Sequence, residues 1–269
     1  MLHKYPMQKH SKRMTDINCD MGESFGAYRI GNDEEIIRHI TSANIACGFH
    51  ASDPNVMERT VKLCKRHGVM PGAHPGYRDL VGFGRRFIDI KTDELINDII
   101  YQVGAFTGFL NLYDLSLQHV KLHGALYNYL VTDEDMLLSV ATAIKKAFGN
   151  PVFLTLGTPK SSRLKRLCRE RGVRLALEAF PDRMYTDDGE LLTRNHKEAV
   201  LKDPAAIAAR AVMMVKEKGI NSINDRWIDM DIDTLCIHGD NLESIEAARI
   251  MRSALKKEHI EIRPLAEML

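Results

Sequence analysis

Short apolar runs in this chain repeatedly end in an ionisable residue, with a glycine or proline close by. Six segments do so, and their ionisable residues are Asp20 and Glu23, His50, His74, Lys121 and His123, Glu178, and His238 and Asp240. In a parallel α/β fold the carboxyl ends of the strands share one rim, where active sites are built. We therefore predict that these side chains converge on one catalytic pocket. Carboxylates, imidazoles and an amine suit general acid–base hydrolysis, with or without a divalent metal ion.

Two of these segments carry polar side chains on one face of a strand. Asp16, Asn18 and Asp20 share a face of the first strand because side chains alternate along a strand. The other face carries Ile17 and Cys19. The fourth strand repeats this pattern with His119, Lys121 and His123. Burying polar groups is costly unless each has a partner, so we predict that both polar faces point into the interior and belong to a functional site.

Arginine residues supply candidate anion-binding groups. A glycine-punctuated loop, 76–86, ends in Arg85 and Arg86, and Arg183 follows the segment that contains Glu178. Guanidinium groups bind carboxylate or phosphate through paired hydrogen bonds. These arginines are therefore candidates for substrate binding, and the alternative for the loop pair is a solvated basic segment.

Composition indicates an ordinary globular protein. The chain has 269 residues, 45% of them hydrophobic, and a formal net charge of +1, which gives no indication of nucleic-acid binding. No apolar run approaches the roughly 18 residues that a membrane span needs. Residues 1–14 are polar and basic and are predicted to be a disordered extension. Five cysteines without a CxxC pair indicate a reducing cytoplasm.

Strand and helix patterns alternate over residues 15–269, which predicts a single α/β domain with a parallel sheet. The predicted strands are 15–19, 43–47, 69–73, 117–121, 152–155, 173–177 and 234–237, with a weak eighth at 260–262. The predicted helices are 33–40, 54–67, 92–110, 133–148, 159–171, 203–218 and 242–256. Residues 183–202 and 219–233 read as loops. This count favours a closed or nearly closed β/α barrel, and an open doubly wound sheet is the alternative.

The rim segments closely resemble the LamB/YcsF family. The segments that carry the resemblance are DINCDMGESFGAYRIGNDEE, SANIACGFHASDP, GVMPGAHPGYRDLVGFGRR, HVKLHGALYN, EAFPDRMYTDDGELLTR and CIHGD. The resemblance implies a seven-stranded, distorted TIM-like barrel related to glycoside hydrolase and deacetylase barrels. It also implies opening of the 5-oxoproline lactam to glutamate, coupled to ATP hydrolysis and shared with two partner subunits.

Motif residues of the family are present at twelve positions. They are Asp20, Glu23, His50, Asp53, His74, Lys121, His123, Glu178, Asp182, Arg183, His238 and Asp240. The resemblance thus adds Asp182 to the substrate-binding candidates. The chain departs from the family pattern with Ser52 for glycine, Leu122 for proline and Pro181 for alanine. None of these departures removes a candidate catalytic group.

The leading hypothesis is a subunit of an ATP-dependent 5-oxoprolinase. No GxxxxGK[ST] loop is present, which agrees with ATP being bound by the partner subunits. A carboxylate (Asp20 or Glu23) or His123 would activate water, and Lys121 with a histidine would stabilise developing oxyanion charge.

Two alternatives remain open from the sequence. One is a stand-alone metal-dependent deacetylase or amidohydrolase with an Asp20, His50 and His74 site. The other is a non-catalytic binding subunit. Whether a divalent metal ion is bound is left undecided.

Overall fold

The computed structural model describes residues 13–239 and 242–269. Its strands are β1 Met14–Met21, β2 Ser42–Ala46, β3 Met70–His74, β4 His119–Lys121, β5 Val152–Leu156, β6 Leu175–Ala179, β7 Gly219–Asn221, β8 Trp227–Asp229, β9 Thr234–Cys236 and β10 Glu261–Ile262. Its α-helices are α1 Asp33–Ile36, α2 Pro54–His67, α3 Thr92–Leu112, α4 Gly124–Thr132, α5 Glu134–Phe148, α6 Ser161–Glu170, α7 Pro204–Glu217 and α8 Leu242–Lys257. Short 3₁₀ turns follow at Ile37–His39 and Leu265–Glu267.

Seven strands of the described chain close into a parallel barrel. The order is β1, β2, β3, β4, β5, β6 and β9, and β9 pairs with β1 to complete the ring. Strand β10, the weak eighth candidate, pairs with the start of β1 outside this ring. The predicted seven-stranded barrel is therefore confirmed, and the open doubly wound sheet is wrong.

The two faces of β1 divide as the alternation predicts. Ile17 and Cys19 belong to the apolar cluster that also contains helix residues such as Ile36 and Val61. The opposite face begins with Asp16, which is fully buried in the barrel interior. The carboxyl groups and amides of this face bond to side chains of neighbouring strands.

A chain of hydrogen bonds runs up the barrel interior from Asp16. The Asp16 carboxylate accepts from Ser42 Oγ at 2.6 Å and from Thr234 Oγ1 at 2.5 Å. Asn18 Nδ2 donates to the same threonine hydroxyl at 2.7 Å. Asn44 Nδ2 then donates to Asn18 Oδ1 at 2.7 Å. Each polar group of this face has a partner, which offsets the cost of burying it.

Three segments differ from the sequence-based expectation. Residues 219–233 contain the antiparallel hairpin β7–β8, which is not a simple loop. Its three-residue strands are too short for alternation to be recognised. Helix α4 was missed because its tyrosines, asparagine, valine and threonine are poor helix formers. The predicted helix 33–40 is one α-helical turn followed by a 3₁₀ turn.

The predicted N-terminal extension lies almost entirely outside the described residues. Only Arg13 and Met14 of it are described, and Met14 begins β1 by pairing with Glu261. Among the described residues, no helix is both long and apolar enough to cross a bilayer.

Candidate active site

A buried lysine occupies the centre of the candidate site. Lys121, the last residue of β4, donates from Nζ to Asp20 Oδ1 at 3.0 Å and to Cys236 Sγ at 3.2 Å. The same nitrogen lies 3.0 Å from Glu178 Oε1. An ammonium group has three N–H donors; two of them have the acceptors Asp20 and Cys236, and Glu178 Oε1 is ion-paired with Nζ without a hydrogen bond. Burial acts against the charged form, but Asp20, Cys236 and Glu178 together raise the pKa of Lys121 well above its ordinary value. The lysine is a cation held between two carboxylates.

The two carboxylates have further partners. Asp20 Oδ1 also accepts from Asn44 Nδ2 at 2.8 Å, while its Oδ2 lies 3.3 Å from His74 Nε2. Burial alone would raise the pKa of Asp20, but the charges of His74 and Lys121 outweigh it and hold the pKa well below its ordinary value. Glu178 Oε2 accepts from the Tyr127 hydroxyl at 3.0 Å. Asp20 is therefore ionised at neutral pH, and it presents Oδ2 to the histidines.

Three histidines and a glutamate form a second group beside the lysine. His74 Nε2 lies 3.0 Å from His123 Nδ1, and the His123 ring stacks on His50 with centroids 3.7 Å apart. Glu23 Oε1 lies 3.9 Å from His50 Nε2 and 3.8 Å from His123 Nδ1. Burial lowers the pKa of His50 well below its ordinary value and that of His123 to about 3. Both rings are therefore neutral at physiological pH.

The loop that follows β3 covers these histidines. The Phe83 carbonyl lies 2.8 Å from His123 Nε2. Gly84 has φ +63, and a Cβ at this position would lie 2.8 Å from atoms of both His50 and His123, so a side chain there is excluded on two grounds. Arg85 stacks over the Phe83 ring at 5.0 Å, and its charge contributes to the low pKa of both histidines. Of the predicted anion-binding groups, Arg85 is the one that this loop brings to the histidines.

The other two candidate arginines bond to the chain itself. Arg86 is paired with Asp79 within its own loop. Arg183 donates from Nε to the Ala199 carbonyl at 3.2 Å and from a terminal nitrogen to the Leu192 carbonyl at 2.6 Å. In the structure both guanidinium groups hold loops in place, and the substrate-binding role expected of them stays a prediction.

His238 and Asp182 form a pair next to the lysine group. His238 Nδ1 lies 2.6 Å from Asp182 Oδ2, and Arg194 lies 3.0 Å from His238 Nε2. Burial opposes the charged form of His238, but Asp182 outweighs it and raises the pKa. The Phe180 ring links the two groups, since it lies 6.0 Å from the His238 ring and 5.2 Å from Lys121 Nζ. Asp240, the remaining candidate, lies outside the described residues.

Comparison with known proteins agrees with the motif resemblance. The LamB/YcsF family model matches residues 15–269. The chain belongs to the LamB/YcsF family. It is 45% identical to the 5-oxoprolinase A subunit of Pyrococcus furiosus over 94% of this chain and 98% of that protein. It is 43% identical to the Campylobacter jejuni subsp. jejuni protein of the same name over 92% and 96%.

Solved structures agree on the fold. The lactam utilization protein from Thermus thermophilus superposes with a TM-score of 0.85 at 39% identity, covering 93% of this chain and 99% of that one. A putative cellobiose-phosphate cleavage protein from Enterococcus faecalis V583 superposes with a TM-score of 0.60, covering 96% and 99% of the two chains. At 13% identity, this second likeness concerns the fold alone.

One LamB/YcsF motif residue serves the local structure. Asp53 is the N-cap of α2, where Oδ1 accepts from the backbone N–H groups of Asn55 and Val56. Its Oδ2 accepts from the Gly26 N–H at 2.8 Å and so joins α2 to the segment after β1. Ser52, which departs from the family glycine, has φ +76 and is buried.

Sequence reasoning missed two polar partners of the carboxylates. Asn44 bridges Asn18 and Asp20, and its Oδ1 lies 2.7 Å from His119 Nε2. A signal was present, because Asn44 interrupts an otherwise small and apolar strand. Tyr127 gave no comparable signal, since it reaches Glu178 only because α4 turns back over the rim.

Proposed function

We propose that this chain opens the lactam ring of 5-oxo-L-proline to give L-glutamate, as one subunit of a cytoplasmic, ATP-dependent 5-oxoprolinase with two further subunits. The observation that carries the proposal is the ionised Asp20, held by Lys121 at the mouth of the barrel beside the histidines. The names of the relatives, which describe a 5-oxoprolinase component and a lactam utilization protein, support the choice of a lactam. The five cysteines are all free and buried, which suits a reducing compartment.

ATP would overcome the low reactivity of the amide. A lactam carbonyl is stabilised by resonance, and transfer of the γ-phosphoryl group to its oxygen makes the ring carbon a better electrophile. Water then adds to this carbon, the ring C–N bond breaks, and the phosphate leaves by hydrolysis. Hydrolysis of the lactam and of ATP each consumes one water, which gives glutamate, ADP and phosphate. We assign phosphoryl transfer to the partner subunits and ring opening to this chain.

Asp20 is the group that we assign to proton removal from water. Its Oδ1 is engaged by Lys121 and Asn44, so Oδ2 is the oxygen directed at the histidines. We assign Lys121 a positioning role, because Nζ is hydrogen-bonded to Asp20 and Cys236 and ion-paired with Glu178. This differs from the initial hypothesis, in which the lysine itself contacts the oxyanion.

Arg85 is the group that we assign to the substrate carboxylate or the transferred phosphate. It is the cation next to His50 and His123, on the loop that covers them. A guanidinium group offers two parallel hydrogen bonds to either anion.

Reconstitution tests this proposal. The chain is mixed with its two partner subunits, 5-oxoproline and ATP, and glutamate and ADP are measured with each component omitted in turn. We expect glutamate only from the full mixture, and a loss on the order of 10²-fold or more with Asp20→Asn. Asp135→Asn, an exposed carboxylate on α5, is the matched control.

Two outcomes would contradict the proposal. Turnover by this chain without partners or ATP would favour the stand-alone hydrolase. Near-normal glutamate production by the Asp20→Asn complex would favour the non-catalytic binding subunit.

A further inference from the structure

Four side chains at the mouth of the barrel each bring one potential metal-ligand atom into a small cluster. Glu23, His50, His74 and His123 supply these atoms, which all lie within 4.8 Å of one another. The four residues come from the ends of different strands or the loops after them. Imidazole nitrogens and a carboxylate oxygen are common ligands of first-row divalent metal ions.

Backbone carbonyls fix how two of the histidines carry their protons. His74 Nδ1 lies 2.8 Å from the Lys121 carbonyl, and His123 Nε2 lies 2.8 Å from the Phe83 carbonyl. A carbonyl can only accept, so each of these nitrogens carries its ring proton. His74 Nε2 and His123 Nδ1 then face each other at 3.0 Å. Either a proton on one of these nitrogens or a metal ion beside both would relieve the repulsion between their lone pairs.

His50 gives the independent indication of a ligand. Its side chain is fully buried, and neither ring nitrogen has a hydrogen-bond partner among the residues that the structure describes. The backbone of Gly76 and of Gly84 lies against this side chain, since a Cβ on Gly76 would come within 2.8 Å of Nδ1 and a Cβ on Gly84 within 2.8 Å of the His50 Cβ. Leaving a buried polar group unpaired costs about 1–3 kcal/mol. A metal ion would satisfy Nε2, which lies on the side of Glu23.

We propose that Glu23, His50, His74 and His123 bind one first-row divalent metal ion, for which Zn²⁺ is the best fit. A tetrahedral zinc site with Zn–N bonds of about 2.0–2.1 Å has ligand atoms about 3.3 Å apart. The separations of 3.0, 3.8 and 3.9 Å in this group lie on both sides of that value, and all four ligand atoms lie within 4.8 Å of one another. Side-chain movement, including rotation of the stacked His50 and His123 rings, would complete the site.

The surroundings of the histidines agree with a metal ligand set. The carbonyls bonded to His74 and His123 act as the outer partners that orient metal-binding histidines. Asp20, which the sequence suggested as a ligand, is instead engaged by Lys121 and Asn44.

The metal site does not depend on the identity of the substrate. It can be tested on the isolated full-length chain, without partners, ATP or 5-oxoproline. A failed lactam assay with intact metal binding would therefore count against the proposed reaction alone, and the reverse result would count against the metal site alone.

The experiment is titration of chelator-treated protein with Zn²⁺ by calorimetry and with Co²⁺ by visible spectroscopy. We expect one ion per chain, Co²⁺ d–d bands, and a rise in melting temperature on Zn²⁺ addition, because the ion binds only the folded state. Glu23→Gln and His50→Gln should each weaken binding by more than the roughly 10–100-fold that loss of an outer partner causes. Glu35→Gln and His67→Gln, at exposed positions, are the matched controls.

Wild-type protein also gives a readout that does not require folded variants. In ¹⁵N-histidine NMR spectra, Zn²⁺ should shift the ring-nitrogen resonances of His50, His74 and His123. For His74 the metal-bound nitrogen should be Nε2, and for His123 it should be Nδ1. Absence of stoichiometric uptake, with a proton shared between these two rings, would overturn the proposal. So would Glu23→Gln and His50→Gln proteins that bind Zn²⁺ as tightly as the wild type.

Discussion

Lys121 Nζ and Glu178 Oε1 lie 3.0 Å apart inside the barrel, and neither side chain is more than 3% exposed. The pair joins the carboxyl ends of β4 and β6, which are separated by β5 in the ring. Because Asp20 on β1 and Cys236 on β9 share the same ammonium group, one cation connects four of the seven strands. The ion pairs of Lys121 therefore contribute both to the stability of the barrel and to the geometry of the candidate site.

Replacing Lys121 by methionine should destabilise the fold as well as abolish lactam hydrolysis. The substitution leaves two carboxylates without their cation, and breaking a buried ion pair costs about 3–5 kcal/mol. Urea unfolding measures the loss, with Lys146→Met on the exposed face of α5 as the control. The double variant Lys121→Met/Glu178→Gln should recover part of the loss. Strict additivity of the two changes would show that the pair is not coupled.

Gly72→Ala should disturb Asp20 from a distance. A Cβ on Gly72 would lie 2.2 Å from ring atoms of His119, so the ring must move. Because His119 bonds to Asn44 and Asn44 bonds to Asp20, we expect lower glutamate production together with a loss of about 1–3 kcal/mol in unfolding free energy.

Gly108→Ala is the matched control for that substitution. Gly108 lies on α3, and a Cβ there meets nothing within 4 Å. Alanine should raise the unfolding free energy by about 0.5–1 kcal/mol through helix propensity. Equal effects of the two substitutions would contradict the contact argument.

Asp16→Asn should change how stability depends on pH. Burial raises the pKa of Asp16 from 3.8 to about 6 in the folded protein, against the effect of its hydroxyl partners. Below pH 3.8 both folded and unfolded states are protonated, so the carboxyl group makes no difference. Between pH 3.8 and 6 only the unfolded state loses the proton, and stability falls as pH rises by about 3 kcal/mol in total.

The asparagine variant lacks this contribution. Its unfolding free energy, minus that of the wild type, should therefore increase between pH 4 and pH 7, as measured by urea unfolding at several pH values. Asp135→Asn, at an exposed position on α5, is the control. Parallel curves for Asp16→Asn and the wild type would contradict the raised pKa.

Ser52→Gly should stabilise the protein. Ser52 has φ +76, a left-handed conformation that costs an L-residue about 1–2 kcal/mol. Glycine removes this cost but adds flexibility to the unfolded chain, worth roughly 0.5–1 kcal/mol. We expect a net gain below about 1 kcal/mol in thermal unfolding, and no gain for Ser52→Ala, which keeps the strained backbone.

The sequence predicted the barrel and the meeting of most candidate residues because both depend on strand order. Polar residues at the ends of buried parallel strands must share a rim, and Asp20, His74, Lys121 and Glu178 do so. The hydrogen-bond partners of these side chains could not be predicted in the same way. Arg183 bonds to the carbonyls of Leu192 and Ala199, which lie in an irregular loop without a periodic sequence pattern.

Proton positions on the histidines depend on tertiary structure alone. The carbonyls that orient His74 and His123 belong to Lys121 and Phe83, and any residue type supplies a carbonyl. The choice between two carboxylates as a metal ligand depends on tertiary structure in the same way. The sequence suggested Asp20, while the structure groups Glu23 with the histidines.

Closure of the ring by β9 against β1 also constrains how the protein is made. Asp16 pairs in register with Thr234, 218 positions later in the chain. A nascent polypeptide on the ribosome therefore exposes the open edges of β1 and β6 until β9 has been synthesised. Such late closure is typical of slow folding with a risk of aggregation, so this barrel should acquire its protease resistance only after β9 has left the ribosome.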